Sequence, residues 1–434
     1  MGPELQIIVI FVLFLGLLAS GMSVPFAIMT PALVYLYLQG DFAALNGLGL
    51  VSWGSMNSDT LSSIPLFILM AEFIQQSGLG FRVYGGLARL VSRIPGGLLQ
   101  TNIVGCAMFA AVSGSSIATA ASIGNVALPQ LTSRGYDRKL SAGSLAAGGT
   151  LGILIPPSIA MIIYGTFTET SVAKLFMAGV VPGIVLTLMF MAYIAVHAML
   201  KPSIAPRQGT SDGPLRVMRV LADILPFMLL ILGIMGAIYT GIATPTEAAA
   251  FGCLFGLLIC RLFGDLPWAV FIDCLRRSVL VVGNIMFITY AAFIFSYAMS
   301  FGGVGEQITE FIIGMNLNRV EFFLALIVLY TVLGALVESL GMIVITVPLL
   351  YPVLATYGID PIWFGVIVVV FIELGQITPP IGINLFVIQS VWRGNISEVV
   401  AGTIPFHLIM FVLLGMLLVW PDLALWLPRA MSGG

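Results

Sequence analysis

Two stretches of the sequence repeat one pattern and decide the fold. Residues 151–165 read LGILIPPSIAMIIYG and residues 374–388 read LGQITPPIGINLFVI, so their Leu-Gly and Pro-Pro pairs coincide at an offset of 223. A proline inside a helix removes one backbone donor and clashes with the preceding turn. Each stretch therefore predicts a helix broken near its middle, and the repetition predicts two such helices in similar surroundings.

The repetition extends over the whole chain. Further matches are Pro129 with Pro352 and Gly114–Ser116 with Val337–Ser339 at the offset of 223, and Gly21 and Pro25 with Gly241 and Pro245 at an offset of 220. Between the halves lies a stretch that is rich in proline, glycine and basic residues. We therefore assign a first repeat to residues 1–200, a linker to 201–221 and a second repeat to 222–434.

Composition places the chain in a membrane. Of its 434 residues 59% are hydrophobic and only 8% are charged, whereas soluble domains carry about 25% charged residues. A formal net charge of −2 provides no basic field for nucleic acid. The apolar runs are unbroken and long enough for spanning helices, whereas the strands of an outer-membrane barrel alternate in polarity. We predict an all-α polytopic membrane protein in a lipid bilayer.

Two apolar stretches, 97–131 and 320–356, are too long for one crossing. Small or polar residues interrupt each one midway, so each predicts a re-entrant helical hairpin, which is tolerated where protein or a watery cavity surrounds its tip. Basic amphipathic stripes over 82–94 and 266–278 predict two interfacial arms. The predicted crossings are 4–20, 24–39, 60–78, 140–165, 174–199, 222–240, 245–262, 279–301, 362–391 and 403–420.

The basic residues give the orientation. With these crossings, Lys174, Arg319 and Arg429 lie on one side of the membrane and the other 14 of the 17 Lys and Arg residues lie on the opposite side. Cytoplasmic loops carry the excess of Lys and Arg, so both termini are predicted to face the periplasm or the cell exterior. The two repeats then have opposite orientations. Inverted repeats with broken helices are typical of secondary transporters whose site lies near the midplane.

The interruptions supply the ligands that such a site needs. The hairpin tips are predicted at Ser113-Gly114-Ser115-Ser116 and at Glu338-Ser339-Leu340-Gly341. The proline pairs free the carbonyls of Gly152–Ile155 and Gly375–Thr378, and these carbonyls together with hydroxyl groups are hard oxygen ligands that suit Na⁺. Helix N-termini at Ser158 and Ile381 offer partial positive charge to a carboxylate. The side-chain donors near the breaks, which are the predicted substrate-binding residues, are Ser115, Ser116, Ser158, Thr378 and Asn384.

The sequence contains few residues that could form a metal, catalytic or phosphate-binding site. Two isolated histidines and four cysteines without a CxxC pair argue against a metal enzyme or a catalytic triad. No lysine follows the glycine-rich stretches in the manner of a phosphate-binding loop, so an ion gradient is the expected energy source. The acids Glu338 and Glu373 lie near the breaks, where either one could carry a proton in place of serving sodium.

Five motifs together resemble a known family, the large membrane subunit (DctM-like permease) of tripartite ATP-independent periplasmic (TRAP) transporters. They are SGSSIATAASIGNVALPQL (113–131), RGYDRKLSAG (134–143), LGILIPPSIAMIIYG (151–165), GIATPTEAAAFG (241–252) and ITPPIGINLFV (377–387). The resemblance covers nearly the full length of the chain.

The resemblance implies an elevator mechanism of the ion-transporter-superfamily type. Scaffold helices would occupy 1–95 and 222–301. The transport parts would combine hairpin 97–131 with broken helix 140–165, and hairpin 320–356 with broken helix 362–391, and helices 174–199 and 403–420 would close the repeats. It also implies sodium-coupled uptake of an organic acid, such as a dicarboxylate or a sialate, across the bacterial inner membrane.

The resemblance further implies ions and partners. Two or more Na⁺ ions are expected, with no organic cofactor. The first sodium site would use Ser113, Gly114, Ser115 and Ser116 with Gly152, Ile155 and Pro156. The second would use Glu338, Ser339 and Gly341 with Gly375 and Thr378. The partners would be a separate small four-helix membrane subunit and a periplasmic substrate-binding protein.

Three alternatives remain at this point. The first is a stand-alone sodium- or proton-coupled anion carrier that has the same inverted repeat and needs no binding protein. The second is an ion channel, whose flux would neither saturate nor accumulate substrate. The third is an intramembrane enzyme, against which the scarcity of catalytic side chains argues.

Overall fold

The computed structural model describes residues 3–91, 93–206, 217–334, 337–380 and 382–431, and within these ranges it contains helices and no strand. Seven of the described helices are long and apolar enough to cross a membrane, or eight spans if the bent pair α4 and α5 counts as one. The helices are α1 (Pro3–Ala19), α2 (Val24–Leu45), α3 (Leu48–Met56), α4 (Ser63–Gln76), α5 (Leu79–Val91), α6 (Leu98–Ser113), α7 (Ser116–Ser133), α8 (Arg138–Leu154), α9 (Ile159–Thr168), α10 (Val172–Leu200), α11 (Val217–Tyr239), α12 (Pro245–Phe263), α13 (Trp268–Phe301), α14 (Val304–Gly314), α15 (Arg319–Gly334), α16 (Ser339–Thr356), α17 (Pro361–Gln376), α18 (Ile383–Trp392), α19 (Ile396–Val419) and α20 (Asp422–Met431).

The first predicted hairpin consists of α6 and α7, which run antiparallel. The Leu98 N–H at the start of α6 donates to the Tyr136 hydroxyl beyond the end of α7, at 3.2 Å. Nearer the tip, Ser113 and Thr119 bring their hydroxyl oxygens to within 2.6 Å of each other. The hairpin therefore enters and leaves at the same end of the molecule.

The second predicted hairpin consists of α15 and α16 and has the same form. The Tyr330 hydroxyl lies 2.5 Å from the Thr346 hydroxyl, halfway along the pair. At the open end, the Tyr357 hydroxyl donates to the Leu317 carbonyl at 3.1 Å. Residues 335–336, between α15 and α16 in the sequence, lie outside the described residues. The predicted tip 338–341 is wrong in its bounds, since Ser339, Leu340 and Gly341 form the first turn of α16.

Both predicted broken helices are present, as α8 with α9 and as α17 with α18. Each begins with an aspartate whose carboxylate accepts backbone N–H groups of the first turn, as expected at an N-cap. The Asp137 carboxylate accepts from Leu140 at 2.8 Å, and the Asp360 carboxylate accepts from Ile362 at 2.8 Å. The two aspartates are themselves 223 residues apart, so the repeat extends to the caps.

The two broken helices run in opposite directions. At one end, Arg138 of α8 lies 5.0 Å over the ring of Trp392, the last residue of α18. At the other end, the Tyr164 hydroxyl of α9 donates to the carbonyl of Pro361, the first residue of α17, at 2.7 Å. The predicted fold class, an all-helical inverted repeat with broken helices, is confirmed.

Each broken helix packs against the long helix that closes the other repeat. Helix α8 lies along α19, and α17 lies along α10. Gly143 of α8 and Gly402 of α19 bring the two backbones into direct contact. At the crossing of α17 with α10, Gly365 lies against Leu175, since a Cβ at Gly365 would lie 2.7 Å from Leu175 Cδ2. Small residues permit such close crossings in membranes.

Basic residues collect at one end of the helices. Arg82 and Arg89 of α5 form ion pairs of 3.8 and 3.5 Å with Asp223 of α11. At the same end, Arg138 pairs with Glu398 at 3.4 Å. Ion pairs thus connect the α5 arm to the second repeat. The basic residues predicted for the cytoplasmic side lie at the same end of the molecule.

Two features differ from the predicted elements. The span predicted as 60–78 and the arm predicted as 82–94 are α4 and α5, which meet at a bend of 68°. Residues 266–278 do not form a separate arm, since α13 continues without a break from Trp268 to Phe301. The reason is local, because the sequence RRSVLVV (276–282) contains neither proline nor glycine at the predicted boundary.

Candidate functional site

The first hairpin tip is a short turn rich in hydroxyl groups. Helix α6 ends at Ser113, and Gly114 follows with φ +60°, in the left-handed region that favours glycine. Ser115 is the N-cap of α7, and its hydroxyl accepts the Ala118 N–H at 3.4 Å. Local sequence therefore determines this turn, with a glycine at the reversal and a serine at the new helix start.

The tip lies directly against the break in α8–α9. The Ile159 N–H donates to the Gly114 carbonyl at 3.3 Å. A Cβ at Gly152 would lie 2.5 Å from the Ser115 carbonyl oxygen and 2.7 Å from Thr119 Oγ1. The structure thus brings together the tip and the proline-containing segment that were predicted from separate motifs.

Unsatisfied oxygens at this junction fit a small hard cation. In a regular helix the Gly152 and Ile153 carbonyls would accept from residues 156 and 157, but both are prolines and have no N–H. The Ser116 hydroxyl is buried, at 1% exposure, and has no hydrogen-bond partner among the described residues. Such an orphaned buried group calls for an explanation, and Na⁺ bound by these oxygens would provide one.

Two other predicted residues of the first half have side chains with other contacts. Ile155 turns toward α10, where a Cβ at Gly183 would lie 2.7 Å from its Cγ1. Ser158 is buried as the N-cap of α9, and its hydroxyl accepts the Met161 N–H at 3.4 Å. The Ile155 side chain therefore packs against α10, and the Ser158 hydroxyl caps α9.

The second break approaches its hairpin differently. A Cβ at Gly375 would lie 2.7 Å from the Gly334 Cα, at the end of α15, so the contact is with the hairpin arm. The Gly375 carbonyl accepts the Thr378 N–H at 3.2 Å. Glu338 is the N-cap residue of α16 without a side-chain cap, and Ser339 is buried. Gly341 contacts Val24, because a Cβ there would lie 3.3 Å from Val24 Cγ1.

Thr378 has partners that the sequence did not indicate. Its hydroxyl donates to the Leu374 carbonyl at 2.6 Å and lies 2.9 Å from Nε2 of His407 on α19. In the sequence, His407 is a lone histidine on an apolar segment.

Asn384 connects the second broken helix to the first. It is fully buried, and its Nδ2 lies 3.5 Å from the Ala146 carbonyl of α8 and 3.5 Å from Gln376 Oε1. Gln376 was not among the predicted residues. The predicted helix start at Ile381 lies outside the described residues; α18 begins at Ile383, with Gly382 as its N-cap.

The fold is an inverted helical repeat with broken helices and two helical hairpins, and the tip of the first hairpin lies against a broken helix. This arrangement defines a membrane transport permease. The chain belongs to the family described as "Tripartite ATP-independent periplasmic transporter, DctM component", which it matches over residues 11–423. The resemblance drawn from the motifs is therefore confirmed.

Named relatives cover the whole chain. The C4-dicarboxylate TRAP transporter large permease protein DctM of Vibrio cholerae serotype O1 is 31% identical, over 99% of this chain and 99% of that protein. The sialic acid TRAP transporter large permease protein SiaM of the same organism is 28% identical, over 97% and 98%. The YdaH transporter of Alcanivorax borkumensis has a similar fold, with a TM-score of 0.66 at 15% identity over 93% of this chain and 98% of that one.

Proposed function

We propose that this chain is the large permease of a sodium-coupled TRAP transporter that takes up an organic acid across the bacterial inner membrane. The observation that carries the proposal is the junction of the 113–116 tip with the broken helix, where the Ile159 N–H donates to the Gly114 carbonyl and the tip carries the orphaned Ser116 hydroxyl. The substrate class, dicarboxylates or sugar acids such as sialate, is inferred from the relatives. A small four-helix membrane subunit and a periplasmic binding protein complete the proposed system.

The energy available from sodium is adequate for this role. One charge moved through 100 mV is worth about 2.3 kcal/mol, and a tenfold concentration ratio is worth about 1.4 kcal/mol. Two sodium ions entering with one substrate anion therefore supply about 5 kcal/mol. That free energy corresponds to accumulation by a factor in the thousands.

The packing favours an elevator motion. Helix α18 contacts both α7 and α8, and α19 contacts α8, so the hairpin and broken helices of the two repeats form one continuous body. The α5 arm is paired through Asp223 to α11, which belongs to the proposed scaffold, and the Tyr84 hydroxyl of α5 donates to Asn102 of α6 at 2.9 Å, so α5 lies between the two parts. Movement of the hairpins and broken helices past the proposed scaffold helices would carry the site between the two sides of the membrane.

The orientation can be tested by cysteine labelling, since all four native cysteines are buried. A cysteine introduced at exposed Glu169 lies at the end predicted to face the periplasm, and one at exposed Lys201 lies at the opposite end. We expect a membrane-impermeant maleimide added to intact spheroplasts to label E169C and not K201C, and to label both after lysis. The reverse pattern would invert the proposed topology.

Reconstituted transport tests the function itself. Proteoliposomes that contain this chain and the small subunit should accumulate succinate or sialic acid only with an inward sodium gradient and with the binding protein present. Uptake at the same rate without the binding protein would support the stand-alone carrier. Flux that neither saturates nor accumulates substrate would support a channel.

Substitutions at either break should weaken the sodium response. We expect Ser116→Ala to weaken sodium activation of uptake about tenfold, because it removes a buried oxygen with no other partner. Thr378→Ala should also weaken it, and Thr378→Ser should restore it by returning the hydroxyl beside His407. The measurement is the sodium concentration at half-maximal uptake. A wild-type value in both alanine variants would place the ion sites elsewhere.

A further inference from the structure

The turn between α12 and α13 borders a cavity of about 830 Å³ at one end of the molecule. Helix α12 is long and apolar enough to cross a membrane, so the residues that follow its last turn lie at the level of the lipid headgroups. The bend between α4 and α5 holds this turn in place, because the Asp265 N–H donates to the Ser77 carbonyl at 2.9 Å and Arg82 donates to the Phe263 carbonyl. The cavity therefore opens at the membrane interface.

One face of α12 leads from this cavity into the membrane. Leu254, Leu258 and Arg261 line the cavity and follow one another at helical spacing, so they lie on one face of the helix. At 1.5 Å per residue, the two leucines lie about 10 and 5 Å deeper than Arg261. Both leucines are exposed, at 65% and 51%. This face therefore presents a cation at the level of the headgroups and an apolar surface at the depth of an acyl chain.

The α13 side of the cavity is aromatic. Trp268, the first residue of α13, is 74% exposed, and its ring stacks on Phe271 with the centroids 5.2 Å apart. Phe271 in turn stacks on Phe73 of α4 at 5.5 Å, which fixes the position of the pair. Tryptophan is enriched at membrane interfaces, where its ring lies among the headgroups. The exposed indole is therefore placed to contact a lipid.

Two opposite charges line the cavity without neutralising each other. Arg261 and Asp265 are both exposed, and neither forms an ion pair or a side-chain hydrogen bond with another residue that the structure describes. A guanidinium binds phosphate oxygens in a bidentate manner, and a carboxylate accepts hydrogen bonds from an ammonium group. Basic pockets between membrane helices are known to bind lipid headgroups. The two side chains together complement a headgroup that carries both a phosphate and a primary ammonium.

We propose that this cavity is a binding site for phosphatidylethanolamine. Arg261 binds the phosphate, Asp265 accepts hydrogen bonds from the ammonium group, and an acyl chain follows Leu254 and Leu258. Phosphatidylglycerol has no ammonium group and leaves Asp265 without a partner, and the ammonium group of phosphatidylcholine has no N–H donor. The site is independent of the transported substrate and of sodium.

Native mass spectrometry of the purified full chain in detergent tests the preference for this headgroup. The lipids to compare are phosphatidylethanolamine, phosphatidylcholine and phosphatidylglycerol with identical acyl chains. We expect phosphatidylethanolamine to bind about fivefold more tightly than either of the others, because only its headgroup pairs with both charges. Equal affinities for the three lipids, or a preference for phosphatidylglycerol, would overturn the proposal.

Two variants assign the two charges of the headgroup. Asp265→Asn should weaken the binding of phosphatidylethanolamine about fivefold and leave that of phosphatidylcholine unchanged, whereas Arg261→Gln should weaken both, since both lipids carry the phosphate. The matched control is Arg276→Gln, which removes an exposed arginine of α13 that does not line the cavity and should keep the wild-type affinities. An unchanged headgroup preference in Asp265→Asn, or an equal loss in the control, would contradict the assignment.

Fluorescence quenching in a bilayer tests the location of the lipid. The chain is reconstituted in phosphatidylcholine vesicles that contain a minor fraction of phosphatidylethanolamine or phosphatidylglycerol with brominated acyl chains. The difference between wild type and Trp268→Phe isolates the emission of Trp268. We expect brominated phosphatidylethanolamine to quench this emission more strongly than brominated phosphatidylglycerol, and the two to quench it equally in Asp265→Asn. Equal quenching in the wild type, or loss of the difference when the small subunit is added, would overturn the proposal, the latter because a protein would then cover this face.

Discussion

Gly152→Ala should abolish most sodium-driven uptake. The added Cβ would lie 2.5 Å from the Ser115 carbonyl oxygen and 2.7 Å from Thr119 Oγ1, closer than real Cβ contacts come. The nearest atom belongs to the backbone, so the 113–116 tip must move away from the break. Overpacking of this kind costs about 1–3 kcal/mol, which corresponds to sodium activation weakened by roughly ten- to hundredfold.

A loss of sodium activation in Gly152→Ala cannot be caused by helix propensity. Alanine is favoured over glycine inside a helix by about 1 kcal/mol, so a loss in Gly152→Ala must come from the contact. Gly236→Ala in α11 is the matched control, because no atom lies within 4 Å of its Cβ position. We expect wild-type sodium activation in the control. The sodium concentration at half-maximal uptake is the measurement, and a wild-type value in Gly152→Ala would mean that the tip does not bind the ion against the break.

The local features of this site could be predicted because local chemistry determines them. The hairpin predicted over 97–131 is α6 and α7 from Leu98 to Ser133, and the one predicted over 320–356 is α15 and α16 from Arg319 to Thr356. Glycine and serine at the first turn and paired prolines at both breaks impose these interruptions whatever packs around them. The internal repeat, the predicted crossings and the distribution of basic residues together predict the inverted orientation.

Contacts between distant helices could not be predicted in the same way. The hydrogen bond of Thr378 with His407 joins residues 29 positions apart on two helices, and apolar periodicity does not specify their rotation. Gln376 escaped notice for a similar reason, since its partner Asn384 lies beyond the break. The continuous α13 was missed because an amphipathic stripe predicts a surface location but gives no signal for where a helix ends.

The crossing of α8 with α19 is the contact on which a single methyl group should have the largest effect on stability. A Cβ at Gly402 would lie 2.7 Å from the Lys139 carbonyl carbon and 3.1 Å from the Gly143 Cα, both backbone atoms that cannot rotate away. The two helices come from different repeats, so moving them apart also loosens the proposed transport body. We expect Gly402→Ala to lower stability by about 3 kcal/mol or more, seen as a large fall in Tm in detergent.

A control and a double variant test whether the crossing itself is responsible. Gly415→Ala lies in the same helix α19 with nothing within 4 Å of its Cβ position, so it should leave Tm close to the wild-type value. Gly143→Ala should be as damaging as Gly402→Ala, since its Cβ would meet the Gly402 backbone. Because the two methyl groups compete for one gap, the double variant should lose less stability than the two single losses added together. Additive losses of stability would mean that each glycine is required for a separate reason. The close crossing of α8 and α19 would then not be what holds the two repeats together.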